Sequence, residues 1–195
     1  MSSKILAQLD EIKSLSNITL EVIMNKMQDE AILIVCLISI LPFMQPIPLP
    51  GISSVLGLIV LLQGIGLMLW KKPILTKRMK EIQITQERFD QIYRAAEKFT
   101  RFTDKISVFQ HPWVNSRASH IICGLAIILS AAFLSLPLPI PMSNFVPALG
   151  IALICLGLLE DDLILTSLGL FITTAIMWMA IMSYQLIAEQ IQNYF

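Results

Sequence analysis

Residues 42–51, PFMQPIPLPG, interrupt an apolar run over residues 31–70 that contains no Asp, Glu, Lys or Arg. Proline removes a backbone donor and its ring clashes with the preceding helical turn, so Pro46, Pro48 and Pro50 followed by Gly51 break the helix. Because the run is long enough to enter a lipid bilayer, we expect it to turn at residues 42–51 and return. The arm before the turn, residues 31–41, would be about 17 Å long as a helix and too short to cross.

A second turn of the same kind lies 93 positions later in the chain. That shift aligns Pro46-Ile47-Pro48 with Pro139-Ile140-Pro141 and places helix starts at Ile52 and Phe145. The second turn is predicted at residues 137–144, with Pro147 as a further turn proline. We interpret the match as an internal duplication. Repeats with broken helices are a building plan of secondary transporters, although proteins that transport nothing also have them.

Composition extends this interpretation to the whole chain. Apolar residues make up 55% and charged residues 14%, and the mean hydropathy is +0.72. Residues 118–159 and 163–188 are also free of charged side chains. The predicted fold is therefore an all-α integral membrane protein with two Pro-broken hairpins and a C-terminal transmembrane helix. No cleaved signal peptide is expected, because residues 1–30 are polar and amphipathic.

The predicted organisation has five parts, and the charge pattern orients them. They are N-terminal amphipathic helices (1–28), a first hairpin (29–70), a basic linker (71–117), a second hairpin (118–160) and the C-terminal helix (163–188). The linker holds 11 of the 14 Lys and Arg residues. By the positive-inside rule, the linker and the N-terminus are expected in the cytoplasm, and the C-terminus on the far side.

Within the linker, residues 85–109 are predicted to form an amphipathic helix that starts at Thr85 and is stopped by His111-Pro112. Its cations follow one another at spacings of four, three and four. They are Arg94, Lys98, Arg101 and Lys105. Two interpretations stay open: the stripe contacts anionic lipid headgroups, or the helix packs on its own membrane domain.

Polar side chains at membrane depth are the candidates for a substrate site, because they are costly there. They are Ser53, Ser54, Gln63, Ser143 and Asn144. Ser143 and Asn144 precede a helix start, so capping that helix is the favoured alternative role. Glu160, Asp161 and Asp162 are expected as a solvated turn that ends one helix and caps the next, with an ion or proton site as the alternative.

Glycines seven residues apart follow each turn. Gly57 and Gly64 form the first pair and Gly150 and Gly157 the second. Membrane helices approach one another through small residues, so these faces are expected to contact other helices. Packing within the chain is favoured over a homodimer interface.

The sequence gives little indication of catalytic activity. No nucleotide-binding loop, metal-ligand cluster or nucleophile motif is present, so we predict no enzyme activity, cofactor or metal. Cys36, Cys123 and Cys155 lie inside apolar runs and are expected to pack as small apolar residues. A neutral, apolar chain is also a poor candidate for binding nucleic acid.

The two turns resemble signatures of the ExoD-like exopolysaccharide synthesis proteins. The first is residues 48–58, PLPGISSVLGL, and the second is residues 138–150, LPIPMSNFVPALG, which continues to Gly157-Leu158-Leu159-Glu160. A basic linker beginning Lys71-Lys72-Pro73 and the pair Pro112-Trp113 lie between them. The family often has a basic residue and a glycine around the acidic turn, where this chain has Asp161 and Leu163.

The resemblance implies a bacterial inner-membrane protein associated with exopolysaccharide production. Together with the repeat and the broken helices, it leaves two hypotheses open. In the first, the chain transports an ion or an anionic or lipid-linked substrate along a path lined by the Pro turns. In the second, it is a membrane scaffold or partner within the exopolysaccharide machinery and transports nothing.

Overall fold

The computed structural model describes residues 2–13, 19–44, 52–69, 107, 109–135 and 144–194, with residues 85, 86, 89, 90, 93, 94, 97, 98, 101 and 105 between them. Apart from isolated bridge residues, such as the pair Gln110 and Asp162, the secondary structure of these residues is helical. The predicted all-α class is confirmed for this part of the chain.

In the part of the chain that the structure describes, six α-helices and two short 3-10 turns have defined bounds. The helices are α1 (Ser2–Lys13), α2 (Leu20–Ile40), α3 (Ile52–Leu69), α4 (Arg117–Ser135), α5 (Phe145–Leu159) and α6 (Leu163–Tyr194). The 3-10 turns are Leu41–Met44, which continues α2, and Pro112–Asn115, which precedes α4. Helices α3 and α5 start at the predicted positions, Ile52 and Phe145.

Helix α2 differs from the prediction at its start. It begins at Leu20, where Thr19 Oγ1 accepts a hydrogen bond from the backbone N–H of Val22 at 3.4 Å. Its 21 residues make it about 31 Å long. The helix before the first turn is therefore longer than the predicted arm of residues 31–41, because buried Ile23 and Met27 continue the apolar face through the polar stretch. The boundary at residue 28 stays a prediction.

Close helix contacts are made at the predicted glycines. A Cβ on Gly64 of α3 would lie 3.1 Å from the carbonyl oxygen of Gly124 in α4. A Cβ on Gly150 of α5 would lie 3.0 Å from Thr173 Oγ1 in α6, and Gly157 abuts Thr166. Both helix pairs are antiparallel, and both glycine faces are occupied by helices of the same chain.

Four helices form a closed ring in which each packs on two neighbours. Helix α3 packs on α2 and α4, while α5 packs on α4 and α2. Since consecutive helices run antiparallel, α3 and α5 lie on one diagonal and run in the same direction. Helix α6 packs outside the ring against α5, and α1 packs on α2. The core inside the ring includes Ile32, Val60, Leu67, Ile127 and Ile151, all fully buried.

The antiparallel order gives the bundle two distinct ends. The turn end holds Leu41–Met44, the first turn of α3, Ser135 and Asn144, which flank both Pro-rich segments. The acidic end holds Ser107, residues 109–116 and the turn Glu160–Asp162 between α5 and α6. These ends lie about 22 Å apart along the 15 residues of α5.

Within the described residues, Arg117–Ser135 is long and apolar enough to cross a membrane, and half of it is buried in the bundle. Shorter apolar helical stretches lie at Glu30–Met44, Ser54–Leu69, Phe145–Leu159 and Leu163–Met179.

Candidate functional site

The turn end brings together the flanks of the two Pro-rich segments. Ser54 Oγ donates a hydrogen bond to the carbonyl oxygen of Ser135 at 3.4 Å, which joins the start of α3 to the end of α4. The turn residues themselves lie outside the described residues, as does the side chain of Ser53. They are Pro46, Pro48, Pro50, Gly51, Pro139, Pro141 and Ser143.

Pro147 does not lie in the turn with which the sequence grouped it. It is the third residue of α5 and is buried. The first N–H groups of a helix have no partner within the helix, so a proline in the first turn costs no hydrogen bond.

Asn144 occupies the N-cap position of α5 but does not cap it through its side chain. Its backbone dihedral angles are φ −84° and ψ −20°, whereas a capping residue usually adopts extended backbone. Its Oδ1 atom is buried and has no hydrogen-bond partner. The favoured capping role of Asn144 is therefore wrong, and a buried acceptor is left open at the turn end.

Gln63 is the second candidate with an open acceptor. The side chain is 4% exposed, and its Oε1 atom is buried without a partner. It lies 11 residues after the start of α3, about 16 Å from the turn end. Among the described residues, Gln63 and Asn144 carry the buried side-chain polar atoms that lack a partner. Both had been selected as site candidates from sequence.

Other polar groups in the interior are hydrogen bonded to one another. Ser130 Oγ of α4 donates to Thr173 Oγ1 of α6 at 3.5 Å, and Thr173 Oγ1 donates to the carbonyl oxygen of Gly169 at 3.0 Å. Ser39 of α2 is also buried. These three hydroxyl residues were not predicted as site candidates, because isolated Ser and Thr are common in apolar helices.

The acidic end is buried, which corrects the predicted solvated turn. Glu160 is 1% exposed, Asp161 7% and Asp162 0%. Asp161 has a positive φ of 52°, a conformation that Asp tolerates better than most residues. The turn is buried because Ser107, Phe109 and His111 lie across it.

Asp162 is the centre of this end. Its Oδ1 accepts hydrogen bonds from the backbone N–H groups of Ile164 and Leu165 at 2.8 and 2.9 Å, so it caps α6 as predicted. Its Oδ2 accepts from the backbone N–H of Phe109 at 2.8 Å and from Ser107 Oγ at 3.1 Å. Several donors stabilise a carboxylate in its charged form. The arrangement is structural: it fastens the linker to the start of α6.

Backbone contacts and two histidines complete the acidic end. His111 N–H donates to the carbonyl oxygen of Asp161, and Leu163 N–H to that of Phe109, both at 2.9 Å. His111 Nδ1 accepts from the backbone N–H of Trp113 at 3.1 Å. His120 is buried with Nδ1 2.9 Å from the carbonyl oxygen of Ser116. A carbonyl only accepts, so that ring nitrogen carries hydrogen in this contact.

The basic stripe of the linker is exposed, although its helix is shorter than predicted. Arg94, Lys98, Arg101 and Lys105 all have exposed side chains, and Arg101 pairs with Glu97 at 2.6 Å. Ser107 and Phe109 are not helical, because they bind Asp162 and cross the acidic turn. The predicted end of the helix at residue 109 is therefore wrong.

The opposite face of the linker helix packs against α1 and the core of the bundle. Phe89 is 1% exposed and belongs to the core. Lys13 of α1 pairs with Asp90 at 3.4 Å and lies 5.5 Å from the ring centre of Tyr93. A hydrogen bond with Asp10 of α1 raises the pKa of Tyr93. Of the two interpretations of this helix, these contacts favour packing on its own domain.

Cysteine, histidine and acidic side chains in the described part of the chain form no group of three that could hold a metal ion. Cys36, Cys123 and Cys155 are free and buried, each on a different ring helix.

Comparison with known proteins agrees with the resemblance drawn from the two turns. The family model described as "Exopolysaccharide synthesis, ExoD" matches residues 2–182. The chain is 28% identical over 175 residues to Protein ExoD of Rhizobium meliloti, covering 87% of this chain and 72% of that protein. It is 30% identical over 145 residues to an uncharacterised protein of Synechocystis sp., covering 73% and 68% respectively. No solved structure matches the chain.

Proposed function

The chain belongs to the ExoD family of exopolysaccharide synthesis proteins, and we propose that it acts in that process as a multi-pass transporter of the bacterial inner membrane. The observation that carries the proposal is the unpaired, buried oxygen of Gln63 inside a ring of helices. Polar groups inside such a ring tend to mark functional positions in membrane proteins.

The distribution of side chains supports a lipid environment. The outer faces of the ring helices and of α6 expose many large apolar side chains. These are Ile38, Leu41, Val55, Leu58, Leu69, Ile121, Ile122, Leu125, Leu129, Val146, Ile164, Leu168, Phe171, Trp178, Met179 and Met182. Polar side chains such as Gln63, Ser130 and Thr173 are buried instead. An apolar surface of this extent is unfavourable in water and matches the hydrocarbon core of a bilayer.

Charge placement supports an orientation. The basic linker, 71–117, would remain in the cytoplasm with the N-terminus, and the turn end would face the periplasmic side. The C-terminus would be periplasmic. The exposed cations of the linker helix would be available to anionic headgroups at the cytoplasmic surface.

The ring supports an internal duplication of parallel repeats. Helices α2 and α3 correspond to α4 and α5 under the 93-residue shift, and each pair is an antiparallel hairpin. Corresponding helices occupy opposite corners of the ring and run in the same direction. The repeats would thus be related by an axis parallel to the helices, as in some transporter families. Both Pro-rich segments would lie over the same end of that axis.

The transported substrate would be an ion or an anionic or lipid-linked molecule that enters between the two turns. Ser54 and Asn144 would contact it at the turn end, and Gln63 would line the path inside the ring. Ser53 and Ser143 are further candidates at the turns.

The second function, a membrane partner that transports nothing, is favoured by the surface of α6. Its Phe171, Trp178 and Met179 side chains are 65–69% exposed on the side away from α5. A helix of another exopolysaccharide protein, or a second copy of this chain, could cover that surface.

Two measurements separate these functions. The first is solute flux in liposomes that contain the purified protein, with wild type compared against Asn144→Leu. Transport predicts flux that the substitution reduces; a scaffold predicts none. The second is secreted polysaccharide in cells lacking the protein, complemented by each variant. Restoration by a variant that has lost flux would refute the transporter.

The proximity of the two turns has its own test. Single cysteines replacing Ser54 and Asn144, in a chain whose three native cysteines are removed, are expected to crosslink with a short reagent. They are also expected to react slowly with a membrane-impermeant thiol reagent. Fast labelling at both positions without crosslinking would show that the turns are separate surface connections.

A further inference from the structure

The side chain of Gln63 is directed toward the interior of the ring. Two glycines on α3 fix the directions of its neighbours: Gly66 faces Ile32 of α2, and Gly64 faces Gly124 of α4. At 100° per residue, Gln63 lies between these two directions on the helix. Helix α5 closes the ring on the far side by packing on both α2 and α4. The amide therefore faces the interior of the four-helix ring.

The oxygen of this amide is an acceptor without a hydrogen-bond donor. Oε1 is buried without a partner, and the residue is 4% exposed. Buried carbonyl oxygens without a donor are rare in folded proteins, since leaving one unsatisfied is costly. An orphaned oxygen of this kind is explained by a water, an ion or a ligand that supplies the missing interaction.

The surrounding chemistry favours a cation over an anion. Ser39 of α2, toward the turn end, is a further buried side chain with a hydroxyl oxygen. Ser130 and Thr173 are hydrogen bonded to each other where α4 meets α6, outside the ring. No lysine or arginine is among the buried side chains that the structure describes. An amide oxygen accepts hydrogen bonds and coordinates cations but repels anions. Divalent cations favour carboxylate ligands, whereas the side-chain oxygens of Gln63 and Ser39 are neutral.

We infer that Gln63 Oε1 is a ligand for a monovalent cation of the size of sodium that enters the ring from the turn end. This inference rests on the proposed transport function, for which the cation is either the cargo or the coupling ion. It revises the substrate preference that helix N-termini at the two turns suggest, because those N-termini favour anions.

Sodium-dependent thermal unfolding of the full-length protein in lipid nanodiscs tests the site. A ligand that binds the folded state raises the unfolding temperature as its concentration rises. Replacing choline chloride with sodium chloride at constant ionic strength is expected to raise the wild-type Tm in a saturable manner. Gln63→Met is expected to abolish that rise. Its Tm in choline chloride should at least equal the wild-type value, since the substitution removes an unsatisfied amide.

Two further variants test whether the sodium response depends on the oxygen of Gln63. Ser130→Ala is the matched control, because Ser130 is buried in the same bundle and already has Thr173 as a partner; its sodium response should remain. Gln63→Glu places a carboxylate oxygen at the same position and should enlarge the response. A wild-type Tm that does not change with sodium concentration would mean that Oε1 binds only water. An equal response in Gln63→Met would place the ion elsewhere. Either result overturns the inference.

Radioactive sodium uptake into liposomes separates this inference from the proposed function. Transport of another solute with no sodium response at Gln63 would refute the cation site alone. A Gln63-dependent sodium response with no flux of any solute would refute transport and leave the binding site in place.

Discussion

Gly157→Ala is expected to destabilise the protein, although alanine is the better helix former. A Cβ at this position of α5 would lie 2.5 Å from the backbone nitrogen of Thr166 and 2.9 Å from its Cα. These are backbone atoms, so α5 and α6 must move apart. Overpacking of this kind costs about 1–3 kcal/mol, against a gain of up to ~1 kcal/mol in helix propensity. We expect a net loss of about 1–2 kcal/mol in the free energy of unfolding.

Gly66→Ala is the matched control, since it makes the same chemical change in a helix of the same ring. A Cβ there would meet Ile32 Cδ1 at 3.5 Å, which is ordinary van der Waals contact. This variant should be neutral or more stable by up to ~1 kcal/mol. Unfolding by SDS in mixed micelles would measure both free energies. If Gly157→Ala were as stable as Gly66→Ala, the close contact between α5 and α6 would be refuted.

Three other predictions concern the acidic end, the linker and the topology. Asp162→Ala removes the cap of α6 and the anchor of Phe109 and Ser107, so the unfolding free energy should fall by about 2–3 kcal/mol. Ser107→Ala should cost about 1 kcal/mol, and an equal loss in both variants would contradict the central role of Asp162. Replacing Arg94, Lys98, Arg101 and Lys105 with Gln should reduce the anionic lipid that copurifies with the protein, by about 1 kcal/mol of binding per cation; unchanged lipid content would show that the stripe faces water. Reporter fusions after Lys80 and after Phe195 should report opposite sides of the membrane, and a shared side would exclude five membrane segments.

The site candidates show which site features can be predicted from the chemistry of single residues. Gln63 and Asn144 were selected because polar groups are costly at membrane depth, and both have a buried oxygen without a partner. The role of Asn144 was nevertheless mistaken. Capping depends on the backbone conformation of the N-cap residue itself, and the residues that lead into α5 determine that conformation.

The burial of the acidic turn could not be predicted from local sequence. Three consecutive carboxylates were expected in water, since charged groups are costly to bury without partners. Asp162 is buried because Ser107 and Phe109, more than 50 residues earlier in the chain, donate hydrogen bonds to it. No pattern near Asp162 indicates those donors.

The sequence by itself determined that α3 and α5 start at Ile52 and Phe145 and which linker face carries cations, because proline geometry and the 3.6-residue period act within a few residues. It also determined that Gly57, Gly64, Gly150 and Gly157 lie on common helix faces. Only the tertiary structure decided which helices meet those faces, that the acidic turn is covered, and that α3 and α5 lie on one diagonal. These features depend on partners that are distant in sequence, and many apolar helices of similar length could pair in other ways.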